Sequence, residues 1–218
     1  MKYFLLSCAL LISTIASAQS VGFGVHGNMI NSDVNAKVKE IAGITPSTGT
    51  LQVALDEVYG LGVGGGVHFD IKFSVLSIRI SGDYLTLSPD EEKFQQYVQQ
   101  VLPGFPVKFV DGGKVDMFSG TANLKLIVLP LPVFKPYVTG GGGFTHVTAE
   151  DVTISLSGTN LAPVPILKKQ TVGTYNLGAG LDIELGALTL YGELKVTWIA
   201  LDEGTTTFVP IVSAGITF

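Results

Sequence analysis

Eight stretches of this chain alternate apolar and polar side chains with a period of two, the spacing that sets neighbours on opposite faces of an extended strand. They run Val21 to Met29, Tyr59 to Ile71, Leu76 to Tyr84, Phe118 to Val128, Tyr137 to Val147, Tyr175 to Leu185, Leu188 to Trp198 and Thr207 to Phe218. In the fifth stretch, Gly140 to Gly143 leaves the phase open. In the other seven every charge falls on the polar side: Asp70, Arg79, Asp83, Lys125, Asp182, Glu184, Glu193 and Lys195. The apolar sides carry none. A soluble β-sandwich also alternates, but its outward face would be the charged one, richer in Lys and Glu. Here the polar sides are otherwise mostly Gly, Ser, Thr and Asn, which suits a narrow interior.

Composition restricts the solvent of the apolar side. Charged residues make up only 14% of the chain and mean hydropathy is +0.45, yet beyond the N-terminus no segment offers the ~20 apolar residues of a spanning helix. Lipid admits only helices and closed barrels, because every backbone polar group must be satisfied internally. A chain of 218 residues has room for one such closed sheet. A net charge of −5 argues against a nucleic-acid partner, which would require a basic face. The N-terminus reads as an export signal: Lys2 is a short positive region, Tyr3 to Ile15 an apolar run, and Ala16-Ser17-Ala18 a small-residue cleavage site. Residues 1–18 are thus expected to be removed, leaving a barrel domain over 19–218. The only cysteine, Cys8, leaves with them, so no thiol, disulfide or cysteine metal site is expected.

Aromatic residues support the same reading. Phe23, Phe69, Phe73, Phe134, Tyr137 and Phe218 are expected near one rim, and Tyr59, Tyr84, Phe118, Tyr175, Trp198 and Phe208 near the other. A separation of about ten residues, tilted by ~45°, spans an apolar band of ~25 Å. Short connections (Lys72 to Ser74, Leu129 to Pro136, Gly186-Ala187) alternate with long ones. The last stretch ends in Phe218, with Ile216, Ala214, Val212 and Phe208 on its apolar side. An aromatic C-terminal strand of this kind resembles the closing strand of bacterial outer-membrane barrels, and the whole pattern resembles the small eight-stranded family (the OmpA-barrel, OmpX and OmpW type). The resemblance implies an all-β, eight-stranded antiparallel up-and-down transmembrane barrel in the outer membrane. It also implies extracellular loops, short periplasmic turns, lipid and lipopolysaccharide as surroundings, and Phe218 and Ile216 as the signal to the barrel-insertion machinery. A monomer without cofactor is expected.

The long connections carry one helical pattern. Ser88-Pro89-Asp90-Glu91 reads as a capping box with Pro at the first helical position. Phe94, Tyr97, Val98, Val101 and Leu102 follow at helical spacing, ended by Pro103-Gly104. Asp33 to Ile41 is a weaker second helix. Inside the barrel, Arg79 and Lys125 must meet Asp70, Glu184 and Glu193, because eight strands leave only enough width for side chains to fill. A salt-bridge plug is the expected outcome, and a gate whose pairs exchange is the functional alternative. His26 and His68 fall on adjacent strands in the lumen, but two His without a clear third ligand fall short of a zinc site. No metal is therefore expected, and lumen hydrogen bonding is their expected role. Phe144 to Thr148 resembles the His-x-Ser core of outer-membrane lipid A deacylases, with His146 as base. Thr148 replaces the nucleophilic Ser and no acid is matched, so a triad is not assembled and no catalytic residue is expected. Three functions follow in order: a non-enzymatic barrel acting through its loops or in envelope integrity; a narrow conduit for small or hydrophobic molecules, implied by the OmpW resemblance; and, remotely, a lipid A-modifying enzyme.

Overall fold

The computed structural model describes residues 20–30, 59–93, 95–96, 107–156, 159–160, 169–201 and 205–218. The export signal and the Asp33 to Ile41 helix lie outside them. Among the described residues eleven strands follow one another: β1 (Ser20–Ile30), β2 (Gly62–Phe73), β3 (Leu76–Leu87), β4 (Val107–Gly112), β5 (Val115–Ile127), β6 (Phe134–Ala149), β7 (Val152–Leu156), β8 (Thr159–Asn160), β9 (Gln170–Leu185), β10 (Leu188–Leu201) and β11 (Thr205–Thr217). Eight close into a barrel in the order β1-β11-β10-β9-β6-β5-β3-β2. Every neighbouring pair in the ring is antiparallel. The ring therefore has no unpaired edge along its length, as a sheet in hydrocarbon requires.

The seam forms between β1 and β11, where Gly24 to Ile30 face Thr217 to Ile211. It continues past β11, because Phe218 N–H donates to Phe23 O at 2.8 Å and Phe23 N–H to Phe218 O at 3.2 Å. The turns Ser74-Val75, 128–133 and Gly186-Ala187 lie at one end of the barrel with Ser20 and Phe218, and the strand ends Ile30, Leu87, Val115, Ala149, Gln170 and Leu201 lie at the other. Gly186 has φ +71°, a left-handed conformation that glycine adopts freely, so this two-residue reversal needs no side-chain strain.

The molecule is apolar outside. Val21, Phe23, Val25 and Met29 of β1 are 46–53% exposed, and Leu124, Leu177, Leu194 and Val212 on other strands are 51–65% exposed. Asp70, Arg79, Asp83, Lys125, Asp182 and Glu193 all point inward and are no more than 7% exposed. No helix among the described residues is long and apolar enough to cross a membrane, so strands alone present this apolar surface. β6, whose phase the glycine run concealed, turns Tyr137, Thr139, Thr145 and Val147 inward and Val138 and Phe144 outward.

Several expectations need correction. Tyr137, expected in an aromatic rim, is 1% exposed inside the barrel, because β6 begins at Phe134 and places it one register deeper on the polar side. Tyr59 is also turned in, 3% exposed, its hydroxyl donating to Gly113 O at 2.5 Å. It precedes β2 and is not part of the wall. The capping box is displaced by two residues. Asp90, not Ser88, caps the helix, accepting from Glu92 N–H at 3.0 Å and Lys93 N–H at 3.1 Å. Pro89 is held in a bridge to Tyr59, so helix begins only at Glu91. Of the amphipathic face, Phe94, Tyr97, Val98, Val101 and Leu102 lie outside the described residues. Beyond the barrel β4, β7 and β8 form a separate three-stranded antiparallel sheet. At six, five and two residues these strands fall below the length that marks a membrane crossing, and the alternation argument passed over them.

Candidate functional site

All eight barrel strands contribute to one polar network in the turn-side part of the lumen. On β2 and β3, Asp70 and Arg79 are direct register partners. That places the guanidinium in a two-point bond, Nε to Oδ1 at 2.8 Å and Nη2 to Oδ2 at 2.9 Å. Arg79 also reaches Glu193 of β10 at 3.9 Å and lies 4.4 Å above the Tyr191 ring. Glu193 accepts from Tyr137 Oη of β6 at 3.0 Å. The Tyr137 ring in turn carries Lys125 Nζ of β5 at 3.8 Å, and Lys125 binds both oxygens of Asp182 of β9 at 2.8 and 2.6 Å. Lys195 stands 3.9 Å from Glu193. Each buried charge has a partner of opposite sign or a ring face, which offsets the cost of removing it from water.

A second branch runs through β1 and β11. His26 Nε2 lies 2.5 Å from Asp83 Oδ1, and Asn28 Nδ2 donates to the same oxygen at 2.8 Å. Ser213 Oγ donates to Asn28 Oδ1 at 2.6 Å. The two imidazoles meet Nδ1 to Nδ1 at 3.2 Å, and His68 Nε2 is 2.8 Å from Thr217 Oγ1. Glycine makes the room: a Cβ on Gly24 would collide with the His68 ring, and one on Gly180 with the Tyr137 hydroxyl. A small polar cavity lies among His26, Arg79, Asn123, Tyr191, Glu193 and Lys195. It has room for about one water molecule. Beside this network Asn176 has no protein partner for either amide atom among the described residues, and the same holds for Asn123 Oδ1 and Thr174 Oγ1.

The loop-side part of the lumen has the opposite character. Ile30, Leu85, Leu87, Val115, Met117, Val147, Val172, Ile199, Val209 and Ile211 point inward and are at most 8% exposed. They follow in phase after the polar positions of the same strands, as Leu85 and Leu87 follow Asp83. Part of this tier lies beyond the alternating stretches, since β3 continues past Tyr84 and β5 begins before Phe118, and part of it, Val147, Val209 and Ile211, stands at apolar positions on the inward side of those stretches. Outside it, at the level of Leu85 and Met117, stand Tyr84 and Phe118, 47% and 53% exposed, and a stacked Tyr175–Trp198 pair with centroids 5.4 Å apart.

Of the eight expected lumen charges, Asp70, Arg79, Asp83, Lys125, Asp182, Glu193 and Lys195 come together. Glu184 does not join them. It sits at the turn-side rim, paired at 2.6 Å with Lys135, and both side chains are partly open. His146 points outward, away from the lumen, with Nδ1 2.7 Å from Thr171 Oγ1. No group of three or more His, Cys, Asp or Glu able to hold a metal occurs among the described residues. Ile216 and Phe218 lie on the outer face of β11, Phe218 66% exposed.

No protein-family model and no curated protein sequence matches the chain. Solved structures do match. Neisserial surface protein A superposes with a TM-score of 0.50 at 12% identity, over 90% of this chain and 94% of that one. The chain has the fold of the eight-stranded outer-membrane barrels. OprG from Pseudomonas aeruginosa matches with a TM-score of 0.49 at 12% identity, over 92% and 96% of the two chains. Ail of Yersinia pestis matches at 0.41 and 14%, over 91% and 97%. At these identities the likeness is one of architecture, and the interior of this outer-membrane-type barrel has to be read from its own side chains.

Proposed function

We propose that the protein is an integral outer-membrane barrel without enzymatic activity, acting through its loop-side surface or in the integrity of the envelope, and not as an open pore. One observation carries this reading: the lumen is closed twice, by the Asp70–Arg79–Glu193 and Lys125–Asp182 network on the turn side and by the inward apolar tier on the loop side. A hydrated ion would have to break buried pairs and then cross an apolar layer, each step unfavourable. In this reading residues 1–18 direct export and are removed, the outer face is solvated by lipid and lipopolysaccharide, and Phe218 with Ile216 engages the insertion machinery. In planar bilayers the refolded protein is expected to give only small, rare conductance steps. Steady porin-sized currents would overturn the proposal.

The apolar tier favours a second reading, in which the loop-side lumen seats a small hydrophobic molecule. Binding sites of this kind are concave and mostly apolar, with a few polar groups at one end. The test is fluorescence of N-phenylnaphthylamine added to detergent-refolded barrel, with Leu85→Asp and Met117→Asp as comparisons. Enhancement lost in both variants supports a seat; no enhancement over a control barrel removes it.

A further inference from the structure

We infer that His26, His68 and Tyr191 form a binding site for a divalent transition-metal ion inside the barrel. The geometry points to it in three ways. First, the two Nδ1 atoms face each other at 3.2 Å. An ion placed at about 2.1 Å from both would see them at an angle of roughly 100°, between square and tetrahedral values. Second, Tyr191 of β10 brings a third donor beside His68, its Oη 3.5 Å from His68 Nδ1. The three rings enclose the position, with centroids 5.3 to 6.4 Å apart. Third, the outer nitrogens are held as metal-bound imidazoles are held. Asp83 accepts from His26 Nε2–H at 2.5 Å, and Thr217 Oγ1 stands 2.8 Å from His68 Nε2.

Proton positions decide between this site and an ordinary hydrogen bond. An ionised carboxylate can only accept, so His26 carries its hydrogen on Nε2 and presents a lone pair at Nδ1. The Thr217 hydroxyl can donate or accept. With the His68 hydrogen on Nε2 instead of Nδ1, both Nδ1 atoms present lone pairs to the gap between them, an arrangement that a cation stabilises. Asp83 supplies a carboxylate directly behind the His26 ring, bonded to its Nε2. Arg79, the cation nearest the Tyr191 ring, is committed to Asp70 by two bonds. Imidazole with a phenol oxygen suits copper, zinc, nickel or iron, and Cu²⁺ heads the affinity order for such donors.

The test uses the mature full-length barrel, refolded in detergent, with Cu²⁺ supplied both during and after refolding. A His146→Ala background removes the outward-facing histidine. One Cu²⁺ per barrel is expected, with electron paramagnetic resonance showing two coupled imidazole nitrogens. His26→Gln and His68→Gln should each lose that two-nitrogen signal, and Asp83→Asn should weaken binding about 10–100-fold through the lost orientation of His26. Tyr191→Phe should keep the two nitrogens and bind more weakly. If the Gln variants fail to fold, the nitrogen count on the parent protein still decides. A parent protein that binds no Cu²⁺, or shows fewer than two coupled nitrogens, overturns the inference. So does an unchanged signal in a folded His26→Gln/His68→Gln protein.

Discussion

Arg79 shows what one residue can mean in this barrel. Its guanidinium, 6% exposed, compensates Asp70 by two short bonds and approaches Glu193 and Tyr191 as well. Arg79→Ala leaves Asp70 buried and unpaired, which costs about 3–5 kcal/mol. Urea unfolding of the refolded protein in detergent should show a destabilisation of that size. The double variant Arg79→Met/Asp70→Leu should recover much of it, because removing both charges also removes the desolvation cost. Lys135 provides the contrast. Its 2.6 Å pair with Glu184 is short, but the side chains are 22% and 31% exposed at the rim. Lys135→Ala is therefore expected to change stability by only about 0–1 kcal/mol in the same assay. The sequence placed both carboxylates on the polar side, but depth along the barrel separates their consequences.

Among elements, the strands have two faces with opposite rules. On β10, Leu194 is 65% exposed to the outside while its neighbour Glu193 is buried. Leu194→Arg puts a charge against hydrocarbon and should destabilise the lipid-inserted barrel by roughly 2–4 kcal/mol. Heat-modifiable migration and unfolding in lipid vesicles would measure it, and the effect should shrink in detergent. The connection between β3 and β4 behaves differently. It contributes no strand to the ring, and its described helical residues are exposed and capped locally by Asp90. Deleting residues Ser88 to Leu102 should leave the heat-modifiable barrel intact. Loss of the folded form would show that this segment is part of the core. The sequence identified a helix start here but misplaced its cap, because Ser-x-x-Glu spacing cannot reveal that Pro89 is taken up by a bridge to Tyr59.

For the whole molecule, closure depends on the pairing of the first strand with the last. β1 and β11 lie at opposite ends of the chain, and their seam ends in the two bonds between Phe23 and Phe218. Pairing across so long a separation carries a large loop-closure cost before any contact offsets it. Removing Phe218 deletes both bonds and an outward aromatic ring. The truncated protein should therefore refold into vesicles more slowly and in lower yield than the parent, as read by the ratio of folded to unfolded bands over time. Equal rates would show that closure is complete before β11 reaches its end.

The number of strands in the ring, the closed architecture and the side on which each charge lies were legible along the chain, because a period of two is a local property and a charge against hydrocarbon is too costly to be ambiguous. The pairing of those charges was not. That Arg79 reaches across to Glu193 while Lys125 takes Asp182, that Tyr137 turns inward as a hydrogen-bonding and ring partner, and that ten apolar side chains line the loop-side lumen all depend on register and stagger around the ring. Those are set when eight strands close on one another, since only closure brings residues from opposite walls within a few ångströms.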